Sequence, residues 1–294
     1  MPAENRVLTT DRYEGEASVT TNSAAVQELT AHVLFAAPGV QANGVAAAPE
    51  GLWMCDQQNN HCYLADYATG AMLAQFHSPV RNASGIAYGA GSVWVAANRA
   101  GSAVYRHDPA TGHCLADIRL PDADKGGVHG IEWAPTDPDG LAALPPLPPP
   151  SPVAAAHIHS PGGEMHGDRG ISGTLWVTRP GQNIIQWIDA ETYELIRSIP
   201  FTAPRSHGAY WDAEDRSVVC AETNHNHIYR LDPSDGTVRE EWVGDDITVP
   251  SSLASQSLRP GEDTPRFEVH GMTRGADGRV WACDAATNLV AVLQ

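Results

Sequence analysis

The sequence predicts an all-β fold, a five-bladed β-propeller closed by an N-terminal strand that completes the last blade. Three observations predict it. A unit of short β-rich runs recurs, and its leading glycines Gly44, Gly85 and Gly130 lie 41 and 45 residues apart, the period of a four-stranded blade. Between the runs there is turn chemistry and no helical periodicity of useful length. The last unit has three runs where earlier ones have four, and a spare run sits at the other end of the chain.

Residues 1 to 28 are polar, with scattered Thr, Ser, Asn and Glu, and read as an arm ahead of a single propeller domain over 29–294. Leu29 to Phe35 reads as a strand ended by Pro38-Gly39. Unit one is Asn43-Gly44-Val45, Gly51 to Asp56, His61 to Asp66, a Thr69-Gly70 turn and Ala71 to Phe76. Unit two is Ser84-Gly85-Ile86, Ser92 to Ala96, Ala103 to Asp108, a Thr111-Gly112 turn and Cys114 to Ile118. Unit three starts at His129-Gly130-Ile131 and resumes at Thr174 to Thr178, Ile184 to Asp189 and Leu195 to Ile199. Unit four is His207-Gly208-Ala209, Ser217 to Ala221, His227 to Asp232, an Asp235-Gly236 turn and Val238 to Val243. Unit five, from Arg266 to Gln294, lacks an outer run, and Leu29 to Phe35 supplies it, which removes an open sheet edge. A sixth blade built partly from residues 1 to 28 is the alternative.

Two stretches exceed the repeat. Residues 136–171 carry Leu144-Pro145-Pro146-Leu147-Pro148-Pro149-Pro150 and then His157, His159 and His166, the composition of an extended loop. Residues 245–265 enter the last blade and are placed to lie over one mouth of the channel.

Composition narrows the partners. A net charge of -17, from 18 Lys+Arg against 35 Asp+Glu, argues against nucleic acid and anionic membranes, because the field of the whole chain repels polyanions. No run is long and apolar enough to span a bilayer, and Met1 to Thr10 shows no signal-peptide core, so the expectation is a cytoplasmic protein. Cys55, Cys220 and Cys283 hold matching places in apolar strands, as buried thiols of a reducing compartment would. Trp53, Trp94, Trp176 and Trp281 recur in register and read as blade packing.

The chemistry is expected at the axis, which the first strand of every blade lines. The residues before the repeated glycines are Asn43, Ser84, His129, His207 and His270, and none is apolar. With 13 His in 294 residues, three at five equivalent places exceed what composition supplies. The glycine after each lets strands crowd at the axis. Imidazoles meeting in one polar funnel suit a divalent metal (Zn, Mn, Fe or Mg) with positions open for water and substrate. The competing reading is three polar channel residues bonded to one another. Glu268 shares a strand face with His270, as a further ligand or an acceptor behind the imidazole. The loops after the second strands open onto the same mouth, beginning at Asp56, Ala97, Arg179, Glu222 and Asp284; Glu222 and Asp56 are acid/base candidates there. Arg81, Lys125, Arg205 and Arg266 precede the ring glycines and, with Arg179 and the polar ring residues Asn43 and Ser84, form a candidate set for a small, anionic substrate.

The Gly-x-(Leu/Val)-Trp-Val strand, the Asn-x-Ile-x-x-Ile-Asp run and the Thr-Gly turn resemble the blades of the streptogramin lyase and SMP-30/YVTN-like propellers over roughly 29–294. Streptogramin lyases are metal-dependent enzymes that open a cyclic depsipeptide by elimination, with histidines and a glutamate at the channel mouth. Glu268, His270 and His207 are similar to that arrangement. This chain departs from it in having fewer blades and an added His129, which resembles the multi-histidine metal sites of propellers such as oligogalacturonate lyases; the Glu, Asn and Asp ligands of gluconolactonases are not matched. The resemblance implies a metal-dependent lyase that abstracts a proton next to a carbonyl, with His129, His207 and His270 on the metal, Glu268 assisting, and Glu222 or a free histidine as base. A metal-dependent hydrolase or lactonase is the second expectation, and a non-catalytic ligand- or protein-binding propeller the third.

Overall fold

The computed structural model describes residues 26–99, 103–120, 126–135, 157–159, 171–244, 247, 249–254 and 266–294. Lys125, the arm before Val26, most of the Pro/His-rich insertion and residues 255–265 lie outside them. Strand β1 (Val26–Glu28) precedes β2 (Ala31–Ala36). Blade one is β3 (Ala42–Ala48), β4 (Gly51–Asp56), β5 (His61–Ala65) and β6 (Met72–His77). Blade two is β7 (Ala83–Gly89), β8 (Ser92–Ala97), β9 (Ala103–His107) and β10 (Cys114–Arg119). Blade three begins with β11 (Ile131–Ala134); after β12 (His157–His159) it continues with β13 (Thr174–Arg179), β14 (Ile184–Asp189) and β15 (Leu195–Pro200). Blade four is β16 (Ser206–Asp212), β17 (Ser217–Glu222), β18 (His227–Leu231) and β19 (Val238–Val243). Blade five is β20 (Gly271–Arg274), β21 (Val280–Asp284) and β22 (Leu289–Leu293), completed by β2.

Closure follows the expectation: β2 pairs antiparallel with β22, Ala31 opposite Leu293, so five sheets form the ring and no sixth blade is present among the described residues. Two additions were not legible. The end of the arm, β1, lies parallel on β19, and β12 from the insertion lies antiparallel on β10, each adding a fifth strand to an outer edge. Both cover rows of unpaired backbone groups.

The repeated signature has a local cause. At the end of the third strand in blades one to three an aspartate turns back on the chain: Asp66 accepts from Ala68 N and Thr69 N, Asp108 from Ala110 N and Thr111 N, and Asp189 from Glu191 N and Thr192 N. These side-chain-capped turns release the chain antiparallel into the outer strand. Between adjacent blades lie five separate apolar clusters; Trp53, Cys55, Ile86 and Val95 pack between blades one and two, and Val45, Met54, Trp281 and Val290 between five and one. A fully buried Leu52, Ile86 or Leu175 contributes about 1.5–3 kcal/mol. The four in-register tryptophans are all buried, and all five cysteines are free thiols. Among the described residues no helix is long and apolar enough to cross a membrane.

At the axis the five glycines touch neighbouring inner strands. A Cβ on Gly44 would lie 3.0 Å from the Gly85 Cα, one on Gly85 2.8 Å from the His129 O, and one on Gly271 2.6 Å from the Gly44 Cα. Gly130 is tightest, its Cβ falling 2.0 Å from the His207 carbonyl oxygen. Backbone cannot swing aside as a side-chain tip can. Gly130→Ala is therefore expected to cost about 1–3 kcal/mol, seen as a lower urea midpoint with an unchanged slope; a midpoint equal to that of the parent would mean that the inner strands do not pack this closely.

Candidate functional site

Bulges accompany three of the five ring residues. Pairing of β3 with β4 skips between Ala42 and Gly44, that of β7 with β8 between Ala83 and Gly85, and that of β16 with β17 between Ser206 and Ala209. Asn43 and Ser84 are thus the extra residues of their bulges, and the skip in blade four spans His207-Gly208. A bulge bends its strand and re-aims a side chain that strict alternation would bury between blades.

Four of the five ring side chains, Asn43, Ser84, His207 and His270, are almost fully buried, and His129 keeps partial access. His129 and His207 face each other, Nδ1 to Nε2 at 2.9 Å, their rings edge to face with centroids 4.5 Å apart. The His270 ring follows, 5.1 Å from that of His207. Burial, with Arg205 and His270 nearby, pushes His129 down to about 3. Burial and the same neighbours, together with His129, also hold His207 well below the usual imidazole range, so both are neutral near pH 7.

His270 has a different setting. Its Nδ1 faces the Glu268 carbonyl oxygen at 3.2 Å and Asp284 Oδ1 at 3.3 Å. Two acceptors on one ring nitrogen assign the proton to Nδ1 and the lone pair to Nε2. Asp284 is fully buried and also accepts from Ala286 N on Oδ1, and from Glu268 N and Thr287 Oγ1 on Oδ2. Burial works to raise its carboxyl, but the His270 contact and the bonds from Ala286 N and Thr287 Oγ1 outweigh it and hold the group below the usual carboxylate range. Asp284 is the residue that sequence reasoning passed over as a loop start. A signal was present: it ends the strand paired with the His270 segment, whose backbone N–H bonds the Cys283 carbonyl.

The other acid/base candidates are occupied. Asp56 accepts from four backbone N–H groups, those of Val40, Gln41, Gln58 and Asn59, and caps its loop. Glu222 does the same through Asn224 N and His225 N, and it also bonds His225 Nδ1. Both sit where Asp284 sits in blade five, so one capping device recurs three times and only the last copy reaches a ring histidine.

The substrate-binding candidates do not converge as one set. Ser84 Oγ donates across to the backbone of blade three, 2.7 Å from the His129 carbonyl oxygen, and so braces that histidine. Arg179 is buried, with Nη1 on Gln186 Oε1 and Nη2 on the Gly126 carbonyl oxygen. Arg81 and Arg266 are exposed. Arg205 is the cation beside the ring, where it disfavours protonation of His129 and His207. Asn43 Oδ1, Ser206 Oγ and His207 Nδ1 are buried with no hydrogen-bond partner among the described residues.

The histidines expected to hold a divalent metal are suitable donors, and some of their nitrogens are already engaged. Neutral imidazoles are the ligating form. Yet one nitrogen each of His129 and His207 is committed to the other, and His270 Nδ1 is turned to Asp284. Among the described residues, no three His, Cys, Asp or Glu side chains are placed to hold one ion. An ion at all three histidines would have to replace the His129–His207 hydrogen bond.

No protein-family model matches the chain, and no curated protein sequence matches it. Solved structures do. The glutaminyl cyclase of Myxococcus xanthus aligns at a TM-score of 0.61 and 9% identity, over 92% of this chain and 98% of that one. A streptogramin B lyase aligns at a TM-score of 0.50 and 16% identity, over 90% of this chain and 97% of that one. At such identities the likeness speaks for architecture alone: the chain has a streptogramin lyase-like β-propeller fold, built here from five blades.

Proposed function

We propose that this propeller is an enzyme acting by proton transfer at the histidine-lined mouth, a lyase for a small substrate that carries a carbonyl or carboxylate. The observation that carries the reading is the His270–Asp284 pair, an imidazole at the axis whose tautomer is set by a buried carboxylate. Its Nε2 takes a proton from the carbon next to the carbonyl. The C–H electron pair becomes the new double bond, the bond from the adjacent carbon to the leaving oxygen breaks, and the proton passes on to that oxygen. Arg205 gives positive potential for the carbonyl oxygen as negative charge grows there. The neutral His129–His207 pair adds no charge opposing that protonation. Both structural neighbours are enzymes by name, which supports a propeller enzyme here.

Streptogramin B is the first substrate to assay, with His270→Ala as the blank. Elimination opens an ester ring without changing its mass, whereas a hydrolase or lactonase, the runner-up, adds one water. Turnover by the parent that persists in His270→Ala would sink the dyad.

A second reading places a divalent ion in the ring, favoured by the partnerless Asn43 Oδ1 and His207 Nδ1. Such an ion would supply Lewis-acid polarisation of the carbonyl. One equivalent of Zn, Mn, Fe or Mg that disappears in His207→Ala would support this reading, and less than about one-tenth equivalent after reconstitution would end it.

A further inference from the structure

The rim of blade four carries a second histidine pair that the ring chemistry does not use. His225 lies in the loop after β17 and His227 opens β18, with Asn226 between them in the left-handed region at φ 55°. That turn is pinned, because Asn226 Nδ2 donates to the Gly244 and Phe267 carbonyl oxygens and its Oδ1 accepts from Val269 N. The two imidazoles are held 6.0 Å apart, centroid to centroid.

Each ring is backed by its own carboxylate. His225 Nδ1 lies 2.9 Å from Glu222 Oε2, and His227 Nδ1 lies 3.0 Å from Glu241 Oε1. The Glu222 and Glu241 side chains are 1% and 12% exposed, while those of His225 and His227 are 64% and 25% exposed. The Tyr229 hydroxyl also lies 3.1 Å from His227 Nδ1. A carboxylate on Nδ1 fixes the proton there and leaves the Nε2 lone pair on the far side of the ring. Metal-binding histidines are held in this way, with the nitrogen that does not ligate donating to a carboxylate. One such pair would pass as a surface ion pair. Two on adjacent rings, each backed by its own carboxylate, present the donor set of a chelate.

We propose that His225 and His227 bind a borderline divalent cation, Zn²⁺, Ni²⁺ or Cu²⁺, through their Nε2 atoms, with water completing the coordination and Glu222 and Glu241 orienting the ligands. Imidazole donors select these ions over Mg²⁺ or Ca²⁺, which need oxygen. The site is separate from the axial ring, whose histidines belong to the inner strands of blades three to five.

The test is calorimetric titration of the full-length, tag-free chain, stripped with chelator, using Ni²⁺ and then Zn²⁺. The expected result is a saturable site that weakens at least about tenfold in His225→Ala and in His227→Ala, and about tenfold in Glu241→Gln, in which the ligands remain but the acceptor charge is gone. His207→Ala, on the axial ring, is expected to keep it. His225→Gln provides a second conservative variant at an exposed position, and circular dichroism checks that every variant is folded. Absence of saturable binding, binding unchanged in His225→Ala and His227→Ala, or loss in His207→Ala alone would each overturn the proposal. None of these outcomes depends on the lyase reading.

Discussion

Asp284→Asn is expected to cut turnover by about 10²–10⁴-fold while leaving a folded propeller. Two sets of donors converge on this carboxylate: Ala286 N with His270 Nδ1 on one oxygen, and Glu268 N with Thr287 Oγ1 on the other. An amide presents one acceptor and one NH₂, so one set must face a donor. If the NH₂ turns to His270, the ring either flips its tautomer and loses the Nε2 lone pair or loses its anchor. If it turns the other way, the Thr287 hydroxyl and Glu268 N lose their acceptor. The strain is expected to cost about 1–3 kcal/mol, a measurable fall in melting temperature short of unfolding. Kinetics run well below that temperature separate the two effects, with the loss falling on kcat rather than KM if Asp284 acts through His270. An Asp284→Asn enzyme that matches the parent in kcat would remove the dyad from the mechanism.

The second large effect is acid lability. His129, His207 and His107 all have folded pKa values pushed below the ordinary imidazole value of 6.5, burial being the largest cause in each. The unfolded chain therefore binds protons that the folded chain refuses. Stability is complete above pH 6.5 and is lost as pH falls toward the folded values, about 3 for His129. Each such histidine removes about 1.4 kcal/mol per pH unit inside that window. Asp284 has the same sign in a lower window: its contribution holds above 3.8 and goes as pH drops through its depressed folded value. Urea melts of chelator-treated protein at successive pH values are expected to show stability falling from pH 6.5 downward, with a shallower fall in His129→Gln. A profile flat to pH 5 would show that the ring histidines are protonated in the folded state.

Much of the architecture was readable because it repeats locally. The Asp-x-x-Thr-Gly turns, the Trp-bearing second strands and the ring glycines each answer a constraint met inside one blade or at its contact with the next. The short last unit and the spare Leu29–Phe35 run announced closure for the same reason, since an unfilled outer edge is an omission in a regular pattern. The ring of Asn43, Ser84, His129, His207 and His270 was equally legible.

What each ring residue does was not. Ser84 and Arg179 have the right chemistry for a ligand but spend it on carbonyls and an amide of neighbouring segments. Asp56, Glu222 and Asp284 hold one aligned position, and the packing of blade five turns the last toward an imidazole of the axial ring. His225, an exposed loop residue, has a buried carboxylate behind it. By itself the sequence determined the blade repeat, the closing strand and the five positions before the ring glycines, because periodicity records geometry that every repeat shares. Tertiary structure alone decided which nitrogen faces which oxygen, because a hydrogen bond depends on fractions of an ångström between segments far apart in the chain.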